Sequence, residues 1–529
     1  MDKRARMMIE RSSIRERGMR ALFRLFFGRT MVTMLLLVAQ IVIIFLVFNR
    51  LSQYAEWILS IFTVISALII LYIINCKENP AFKLAWMIPM CLFPVFGTLL
   101  FMFVQGNPGS RGLQKKLDRR KMETAGYGIT SDRVMEKMEK ENSPVRGLAH
   151  YIQNSNGYAA FDGAEVSYFP LGEDKYQDML VELKKAEKYI FMEYFIIDRG
   201  IMWQSILDIL VEKASEGVEV RVMYDGMCSL VKLPYNYAKE LEKVGLKARV
   251  FSPIKPLLST HQNNRDHRKI LIIDGKVCYS GGINLADEYI NRISPYGHWK
   301  DVSVKIKGDA IKSYLIMFLQ MWNLNETGEE SYEKYINDPD IVSVSDANGY
   351  VIPYCDDPTN REDVAENVYL HIIDSAVKYV FIMTPYLILD NEHVVALTFA
   401  AKRGVDVRII LPHIPDKKLA FYIARTYYPQ LIGEGVKIYE YMPGFMHAKV
   451  FVSDDDKAVV GSVNLDFRSL YEHFECATFL YCNSAIAEIK KDYDKTVEQS
   501  RQITLEDYKH FSFISRALGR IFRVFGPLM

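Results

Sequence analysis

The chain has 529 residues, half of them hydrophobic, which is enough for two or more domains with separate cores. The formal net charge is +1, which argues against a strongly basic nucleic-acid-binding protein, so we expect no nucleic acid partner. The seven cysteines are scattered and include no C-x-x-C pair, which predicts neither a disulfide framework nor a zinc site. We expect most of them to be reduced residues of the core.

The N-terminal part of the chain is predicted to lie in a membrane. Residues 1–30 form a basic segment with nine Lys or Arg against three acids, and this segment leads into the uncharged run Met31 to Phe48. The run has the length and composition of a transmembrane helix. A cleaved signal peptide is the alternative, but the run is too long and no small-residue cleavage site follows it. A second uncharged stretch, Trp57 to Ile74, is also long enough to span.

The third apolar stretch differs from these two because it contains helix-breaking residues. Leu84 to Val104 has the length of a span but carries Pro89, Pro94 and Gly97, which weaken a straight helix. We therefore predict a helical membrane region at 31–105 with two full spans and a third segment that is re-entrant or shallow. A full third span is the alternative.

A basic collar and linker is predicted at 106–160. Six Lys or Arg lie between Arg111 and Lys121, and their position makes anionic lipid headgroups the expected neighbours, with a solvated linker as the alternative. Because both flanks of the third apolar stretch are basic, the positive-inside rule places both in the cytoplasm. These features predict a multi-pass protein of the cell membrane whose following lobes are cytoplasmic.

Beyond about Ala160 the chain has an α/β pattern that repeats. Three elements recur in the same order, at offsets of 190, 187 and 180 residues. They are a strand-like run (Ala186–Gly200 and Ala376–Asp390), a helix end with a strand (Lys213–Gly226 and Ala400–Pro412), and the motif described next. Three matches in register predict two pseudo-symmetric lobes, each a mixed sheet flanked by helices, at 161–335 and 336–509.

The third repeated element carries the chemistry. It reads HRKILIID from His267 and HAKVFVSD from His447, so each copy has the pattern H-x-K-x4-D, and each is followed by G-[GS]-x-N. A histidine and a lysine on one face of a strand suit a phosphoryl centre, because imidazole attacks phosphorus or transfers a proton and ammonium neutralises the phosphate oxygens. Two copies at one spacing indicate an active centre that takes one histidine from each lobe.

The candidate site residues follow from the two copies. Asp274, which precedes a glycine, is expected to order a turn rather than to react. The predicted catalytic motif consists of His267, Lys269, Asp274, His447, Lys449 and Asp454. The predicted substrate-binding residues, which let backbone, hydroxyl or amide groups approach the phosphate, are Gly282, Asn284, Ser462 and Asn464.

These motifs resemble those of the phospholipase D superfamily, and within it those of the bacterial cardiolipin synthases. The resemblance covers nearly everything from about Trp57 to Met529. It rests on the runs Asn79 to Phe101, His267 to Tyr289, Trp299 to Asp301, Met446 to Asp454 and Gly461 to Glu475. The first copy departs from the family pattern, since Gly282 stands where the pattern has serine. A hydroxyl contact to the phosphate is therefore expected from Ser462 alone.

The resemblance implies phospholipase D-type lobes that convert two phosphatidylglycerol molecules into cardiolipin and glycerol. One histidine forms a phosphohistidine while the other protonates the leaving glycerol; by family analogy His267 is the nucleophile and His447 the acid and base, with the reverse left open. The family's histidine-orienting carboxylates map to Asp301 and Glu475. Phosphatidylglycerol, other anionic phospholipids and the membrane are the implied partners. No metal or other cofactor is implied, because two lysines balance the phosphate charge.

Other functions remain as alternatives. The same pair of histidines serves phosphatidylserine synthesis or phospholipase D hydrolysis, and the motif does not separate these reactions. A membrane-anchored lipid-binding protein with degenerate motifs is the alternative of another class, but both copies retain His, Lys and Asp. Residues 510–529 are predicted to form a basic amphipathic helix, either interfacial or packed on a lobe. Four further histidines near the motifs, His261, His298, His413 and His473, are assigned solvated or core roles.

Overall fold

The computed structural model describes residues 42, 52–105, 108–234, 236–253, 264–326, 331–345, 347–359 and 362–528. The basic segment 1–30 lies outside these residues, and so does the predicted span Met31 to Phe48 apart from Val42. The chain forms two compact units. The first consists of Met1–Ser110, Ile254–Gln262 and Val524–Met529, and the second of Arg111–Pro253 and Asn263–Arg523.

The first unit contains three described apolar helices. They are α1 (Ser52–Asn75), α2 (Pro80–Leu92) and α3 (Pro94–Gln105). Within the described part of the chain, only the stretch Glu56–Asn75 of α1 is long and apolar enough to cross a membrane. This stretch contains the predicted span Trp57 to Ile74.

The third apolar stretch is two helices instead of one. The chain breaks at Phe93, before Pro94, which cannot continue the hydrogen-bond ladder because it lacks an N–H. Helices α2 and α3 then pack against each other, and an ideal Cβ on Gly97 would lie 2.6 Å from the Met90 backbone. A larger residue at this position would separate the two helices.

The predicted collar and linker is largely helical, with α4 (Pro108–Thr124), α5 (Asp132–Lys140) and α6 (Arg146–Asn156). Two of its cations bind protein carboxylates: Lys121 Nζ lies 2.6 Å from Asp357 Oδ2, and the buried Arg120 lies 2.7 Å from Glu123 Oε2. The expectation that the collar faces lipid is therefore wrong for these two side chains, whose charges are neutralised within the protein.

The first lobe is built on a mixed sheet of seven strands among the described residues, in the order β1-β8-β6-β5-β2-β3-β4. Its strands are β1 (Ala164–Phe169), β2 (Tyr189–Tyr194), β3 (Glu219–Asp225), β4 (Lys247–Phe251), β5 (Lys269–Ile273), β6 (Val277–Gly281) and β8 (Ser303–Gly308). Its helices are α7 (Gly172–Lys184), α8 (Ile201–Ser215), α9 (Gly226–Val231), α10 (Tyr237–Glu242), α11 (Ile311–Trp322) and α12 (Glu333–Ile336).

The second lobe repeats this sheet and adds one edge strand, in the order β17-β12-β11-β10-β14-β15-β16-β9. Its strands are β9 (Tyr350–Asp356), β10 (Tyr379–Met383), β11 (Asp406–Pro412), β12 (Lys437–Tyr441), β14 (Val450–Ser453), β15 (Lys457–Gly461), β16 (Glu475–Tyr481) and β17 (Ser500–Ile503). Its helices are α13 (Val364–Ser375), α14 (Asn391–Lys402), α15 (Lys418–Arg425), α16 (Tyr428–Gly433), α17 (Ala485–Glu498), α18 (Leu505–His510) and α19 (Phe513–Arg523).

The two sheets have the same topology. Reading β9-β16-β15-β14-β10-β11-β12 against β1-β8-β6-β5-β2-β3-β4 matches every strand with its counterpart in chain order. In the first lobe β2, β3 and β4 are parallel, and the motif strand β5 pairs antiparallel with β2. In the second lobe β10, β11 and β12 are parallel, and the motif strand β14 pairs antiparallel with β10. The α/β fold with duplicated lobes, predicted from the repeat, is confirmed.

The lobes are joined through their motif regions. Two short strands, β7 (His298–Lys300) and β13 (Gly444–Met446), pair in parallel, one from each lobe. Helix α11 is buried along almost its whole length and contacts strands of both sheets. The four cysteines of the lobes other than Cys482 are buried and free, as expected for reduced core residues.

Candidate active site

Each motif histidine lies where the parallel strands of its lobe end. Strand β5 begins at Lys269, directly opposite Tyr194 at the carboxyl end of β2, and β14 begins at Val450 opposite Met383 at the end of β10. Ligands of α/β proteins bind at this edge of the sheet, outside the carboxyl ends of the strands. The antiparallel entry of the motif strand therefore places both histidines at a binding edge.

Each histidine is held by a carboxylate from the opposite lobe. His267 Nδ1 lies 2.8 Å from Glu475 Oε1, and His447 Nδ1 lies 2.6 Å from Asp301 Oδ2. The backbone follows the same exchange: the His267 N–H donates to the Phe474 carbonyl and the His447 N–H donates to the Lys300 carbonyl. Because Nδ1 is engaged, Nε2 is the nitrogen left to react on both rings.

Both imidazoles are neutral in the resting site. Burial, with the charges of Lys269 and Lys449, lowers the pKa of His267 well below its usual range. Burial and Lys449 also lower the pKa of His447, to about 4, although Asp301 opposes this shift. His447 is close enough to contribute to the lowered pKa of His267, so the two rings belong to one electrostatic site.

The two carboxylates are not equivalent. Burial raises the pKa of Glu475 to about 7 against the opposing charge of Lys269. Burial also disfavours the Asp301 anion, but Lys449 and His447 outweigh this effect and hold the pKa of Asp301 below its usual value. At neutral pH His447 therefore faces a fully ionised carboxylate, whereas the carboxyl beside His267 is close to its titration midpoint.

Both motif lysines are buried at the base of the site. The Lys269 ammonium donates to the His267 carbonyl, and the Lys449 ammonium donates to the His447 carbonyl. Burial lowers the pKa of Lys269 to about 8 and the pKa of Lys449 to about 7. Cations held this way in a dry site gain stability when a phosphate anion arrives, because the anion restores the charge balance.

The motif aspartates lie at the far ends of the strands. Asp274 accepts three backbone N–H groups, those of Glu187, Lys188 and Tyr189, each at 2.8 Å. Asp454 accepts the three equivalent N–H groups of residues 377–379 at 2.7 to 3.0 Å. Both residues have positive φ in the turn after the motif strand. Their assignment to the catalytic set is therefore corrected: their carboxylates fix the start of the neighbouring strand.

Gly282 and Ser462 each accommodate the carboxylate beside them. An ideal Cβ on Gly282 would lie 2.2 Å from Asp301 Oδ1, so only glycine leaves room for that acid. At the matching position the Ser462 hydroxyl donates to Glu475 Oε2 and accepts the Cys476 N–H at 3.0 Å. The expectation that Ser462 offers its hydroxyl to the phosphate is wrong in this structure, because a buried carboxyl takes it.

The two asparagines are anchored to neighbouring loops. Asn284 Oδ1 accepts the Ile196 N–H at 3.0 Å and its Nδ2 donates to the Tyr289 hydroxyl at 2.7 Å. Asn464 Nδ2 donates to the Ser469 hydroxyl at 2.9 Å. Each amide nitrogen keeps a second N–H, so contact with a phosphate stays a prediction.

Two buried groups near the motif residues were not assigned to the site by the sequence analysis. His473, for which a solvated or core role was expected, is buried with its ring centroid 5.9 Å from that of His267. Lys175 of α7 is buried near Asp301 and Lys269, and burial lowers its pKa to about 7. His473 lies two residues before Glu475, which is the only signal in the sequence; Lys175 has none.

Aromatic rings cover His447. Tyr289, Trp299 and Phe445 lie with ring centroids 5.4, 5.2 and 5.6 Å from its imidazole, and Phe195 contacts His267 edge-on at 4.9 Å.

Among the residues that the structure describes, one group has the proximity needed for metal ligands: Glu366, Asp390 and His393. None of the motif residues belongs to it.

Comparison with known proteins places the chain in a family. The family model described as "Cardiolipin synthase, PLD-like domain" matches residues 179–322 and 369–497, one segment in each lobe. A cardiolipin synthase of Alkalihalophilus pseudofirmus is 34% identical over 90% of this chain and 95% of its own length. The chain belongs to the cardiolipin synthase family. Its class is therefore that of the phosphatidyltransferases of the phospholipase D superfamily.

Two further matches are a relative without an assigned function and a solved structure. An uncharacterized protein of Streptococcus mutans is 47% identical over 87% of this chain and 99% of its own length. The crystal structure of phosphatidylserine synthase from Haemophilus influenzae matches with a TM-score of 0.53 at 14% identity, over 69% of this chain and 95% of its own. At this identity the match supports the fold alone.

Proposed function

We propose that this protein is a membrane-bound cardiolipin synthase that transfers a phosphatidyl group from one phosphatidylglycerol to another and releases glycerol. The observation that carries the proposal is the exchange of carboxylates, since each lobe completes the histidine of the other. An in-line displacement at phosphorus needs a nucleophile on one side and a proton donor on the other. Two histidines in one electrostatic site supply both groups.

The roles of the histidines follow from their carboxylates. His447 faces the ionised Asp301, which stabilises an imidazolium once an anionic phosphodiester enters the site. His267 faces Glu475, whose pKa of about 7 weakens that stabilisation. This difference favours His267 as the neutral nucleophile and His447 as the acid and base.

The first half-reaction then proceeds as follows. His447 takes up a proton from solvent when the anionic lipid enters the site. His267 Nε2 then attacks phosphorus of the first lipid, the bond from phosphorus to the glycerol oxygen breaks, and the oxygen takes this proton from His447. Lys269 and Lys449 stabilise the charge on the remaining phosphate oxygens. The phosphatidyl group is now bonded to His267.

The second half-reaction reverses these steps. The terminal hydroxyl of a second phosphatidylglycerol gives its proton to His447 and attacks phosphorus, and the bond to His267 breaks. Cardiolipin is formed and the enzyme returns to its starting state. No electrons are exchanged, and protons balance through His447.

Product analysis tests the reaction. Purified protein incubated with phosphatidylglycerol alone is expected to form cardiolipin and glycerol in equal amounts. Phosphatidic acid as the main product would show hydrolysis instead. Turnover only after serine or another alcohol is added would show a different acceptor.

The membrane topology is part of the proposal. We propose two full spans, with the broken segment of α2 and α3 as a re-entrant or shallow hairpin and the lobes on the cytoplasmic side. The break at Phe93 and the tight packing at Gly97 support the hairpin. The basic flanks support cytoplasmic ends.

Cysteine accessibility tests this arrangement. The exposed Cys482 lies in the second lobe and serves as a native reporter once the other accessible cysteines are replaced by serine. Single cysteines at Ser110 and Ser345 extend the test to the collar and the start of the second lobe. A membrane-impermeant reagent is expected to label all three only after permeabilisation. Labelling in intact cells would place the lobes outside.

A further inference from the structure

Helix α19 carries its apolar side chains on the outside. Phe513, Ile514, Leu518 and Ile521 are 77%, 68%, 37% and 58% exposed. At 100° per residue these four side chains share one arc about 140° wide. A helix that packs by its apolar face would bury this arc, so the exposure needs a separate explanation.

The opposite face of α19 holds the helix on the second lobe. Gly519 is buried against α15, and an ideal Cβ on it would lie 2.4 Å from the Tyr422 carbonyl oxygen. The Arg523 guanidinium stacks 3.8 Å from the Tyr427 ring, and Arg516 lies 5.7 Å from the Tyr508 ring. The helix is thus fixed in the orientation that turns its apolar arc outward.

We propose that the outer face of α19, formed by Phe513, Ile514, Leu518 and Ile521, docks into the surface of an anionic bilayer. The exposed Arg520 lies at the edge of the apolar arc, where a headgroup phosphate would meet it. An apolar arc with a cation at its border has the chemistry of an interfacial helix. The sequence left an interfacial and a packed helix as alternatives, and the two faces of α19 serve both purposes.

The consequence is a second membrane attachment on the lobe that carries His447. It rests on the proposed function only in that a bilayer containing the lipid substrate is present. The attachment would hold the second lobe at the lipid surface independently of the helices before residue 106. Docking of α19 is measured by fluorescence, so its failure is distinguishable from a failure to make cardiolipin.

Depth-dependent quenching tests the docking on the full chain. Single cysteines are placed at Ile514 and Ile521, and at the 78% exposed Val377 as a matched control elsewhere on the second lobe. Cys76, Cys91 and Cys482 are replaced by serine, because the other cysteines are buried. Each variant is labelled with an environment-sensitive fluorophore and reconstituted into phosphatidylcholine vesicles with or without phosphatidylglycerol. Some of the lipids carry a spin label near the headgroup.

The expected result is a blue shift and strong quenching at positions 514 and 521, with little quenching at 377. Phosphatidylglycerol should increase the quenching. Arg520→Gln should lower that increase, with the docking equilibrium falling about fivefold. Quenching at 514 and 521 that does not exceed the control would overturn the proposal. A blue shift without quenching by lipid would also overturn it, because it would show that a second copy of the chain covers this face.

Discussion

The two histidine–carboxylate pairs come from one duplicated element, yet they differ at two positions. In one pair His267 contacts Glu475, which accepts a hydrogen bond from Ser462. In the other His447 contacts Asp301, whose carboxylate fills the space beside Gly282. The shorter acid lies closer to the backbone and needs a neighbour with no side chain, whereas the longer acid leaves room for a hydroxyl donor.

This difference gives the histidines of the two lobes different roles in the reaction. Once the anionic phosphodiester has bound, the ionised Asp301 stabilises a protonated His447, whereas the weaker charge of Glu475 leaves His267 neutral. In a fully symmetric pair both histidines would respond to the substrate in the same way, and one of them would then have the wrong protonation state for its step. The asymmetry therefore suits a reaction in which one ring is the nucleophile and the other transfers protons.

The largest effect is expected from removing either histidine. His267→Ala and His447→Ala should each lower kcat by on the order of 10³-fold, because each half-reaction uses both rings. The double variant should be hardly slower than either single one, since the residues act as a unit. Steady-state rates of cardiolipin formation measure this. Substantial turnover in either single variant would exclude a shared active centre.

Replacing the two carboxylates should lower activity to different extents. Asp301→Asn removes the charge that stabilises protonated His447 and should lower kcat/KM roughly 10²-fold. Glu475→Gln keeps an acceptor for His267 Nδ1 and should cost about tenfold. The comparison is made on phosphatidylglycerol in mixed micelles at neutral pH. Equal losses, or a larger loss for Glu475→Gln, would contradict the division of roles.

Substitutions at Gly282 and Ser462 should disturb the His447–Asp301 pair more than the His267–Glu475 pair. In Gly282→Ser the new side chain displaces Asp301 from His447, so the loss should approach that of Asp301→Asn. Ser462→Gly removes one donor to Glu475 and should cost about tenfold. Thermal melting shows whether each variant folds. If the displacement is the cause, Gly282→Ser should cost nothing further in an Asp301→Ala background.

The pH dependence of kcat/KM should reflect the ionisation of the two buried motif lysines. Lys449 and Lys269, with pKa values of about 7 and 8, lose their positive charge as the pH rises, so kcat/KM should fall between about pH 7 and 8. Lys449→Arg keeps a charge throughout this range and should move the alkaline limb upward. An unchanged limb would show that another group titrates.

The smallest effect is expected at His473. Its ring lies beside that of His267 without the carboxylate contact that the motif histidines make. His473→Asn should therefore lower kcat/KM by less than about tenfold, with most of the change in the step that forms the phosphohistidine. Pre-steady-state release of glycerol measures that step. A loss as large as that of His267→Ala would place His473 in the reaction itself.

The sequence predicted the fold well because the duplication is visible in it. Strand-like runs recur at nearly constant offsets, and the resulting sheets match strand for strand. The position of each histidine, at the carboxyl ends of the parallel strands of its own lobe, follows from the antiparallel strand that it precedes. The assignment of Asp301 and Glu475 as histidine-orienting carboxylates came only from the family resemblance. The exchange of the two acids between the lobes was not predicted, since neither residue lies near its histidine in the chain.

Other features could not be predicted from local patterns. Gly282 was interpreted as the loss of a hydroxyl contact, but the position requires glycine because the Asp301 carboxylate fills the space beside it. Asp301 follows strand β7 and is distant from Gly282 in the chain. Lys121 and Arg120 belong to a charged run, and besides the local Arg120–Glu123 pair they contact Asp357 and the Glu326 carbonyl, which are distant in the chain. Such contacts depend on tertiary packing, which neither spacing nor composition records.

The most direct test of the asymmetry uses a substrate whose leaving group needs no proton. A labelled phosphatidyl ester of p-nitrophenol is mixed with each histidine variant, quenched in base and digested, and the label is located by mass spectrometry. We predict that His447→Ala accumulates label on the peptide containing His267, because attack still occurs while the acceptor is no longer activated. His267→Ala should carry no label. Label on His447 in the His267→Ala variant, with none on His267 in the other, would reverse the roles and contradict the account.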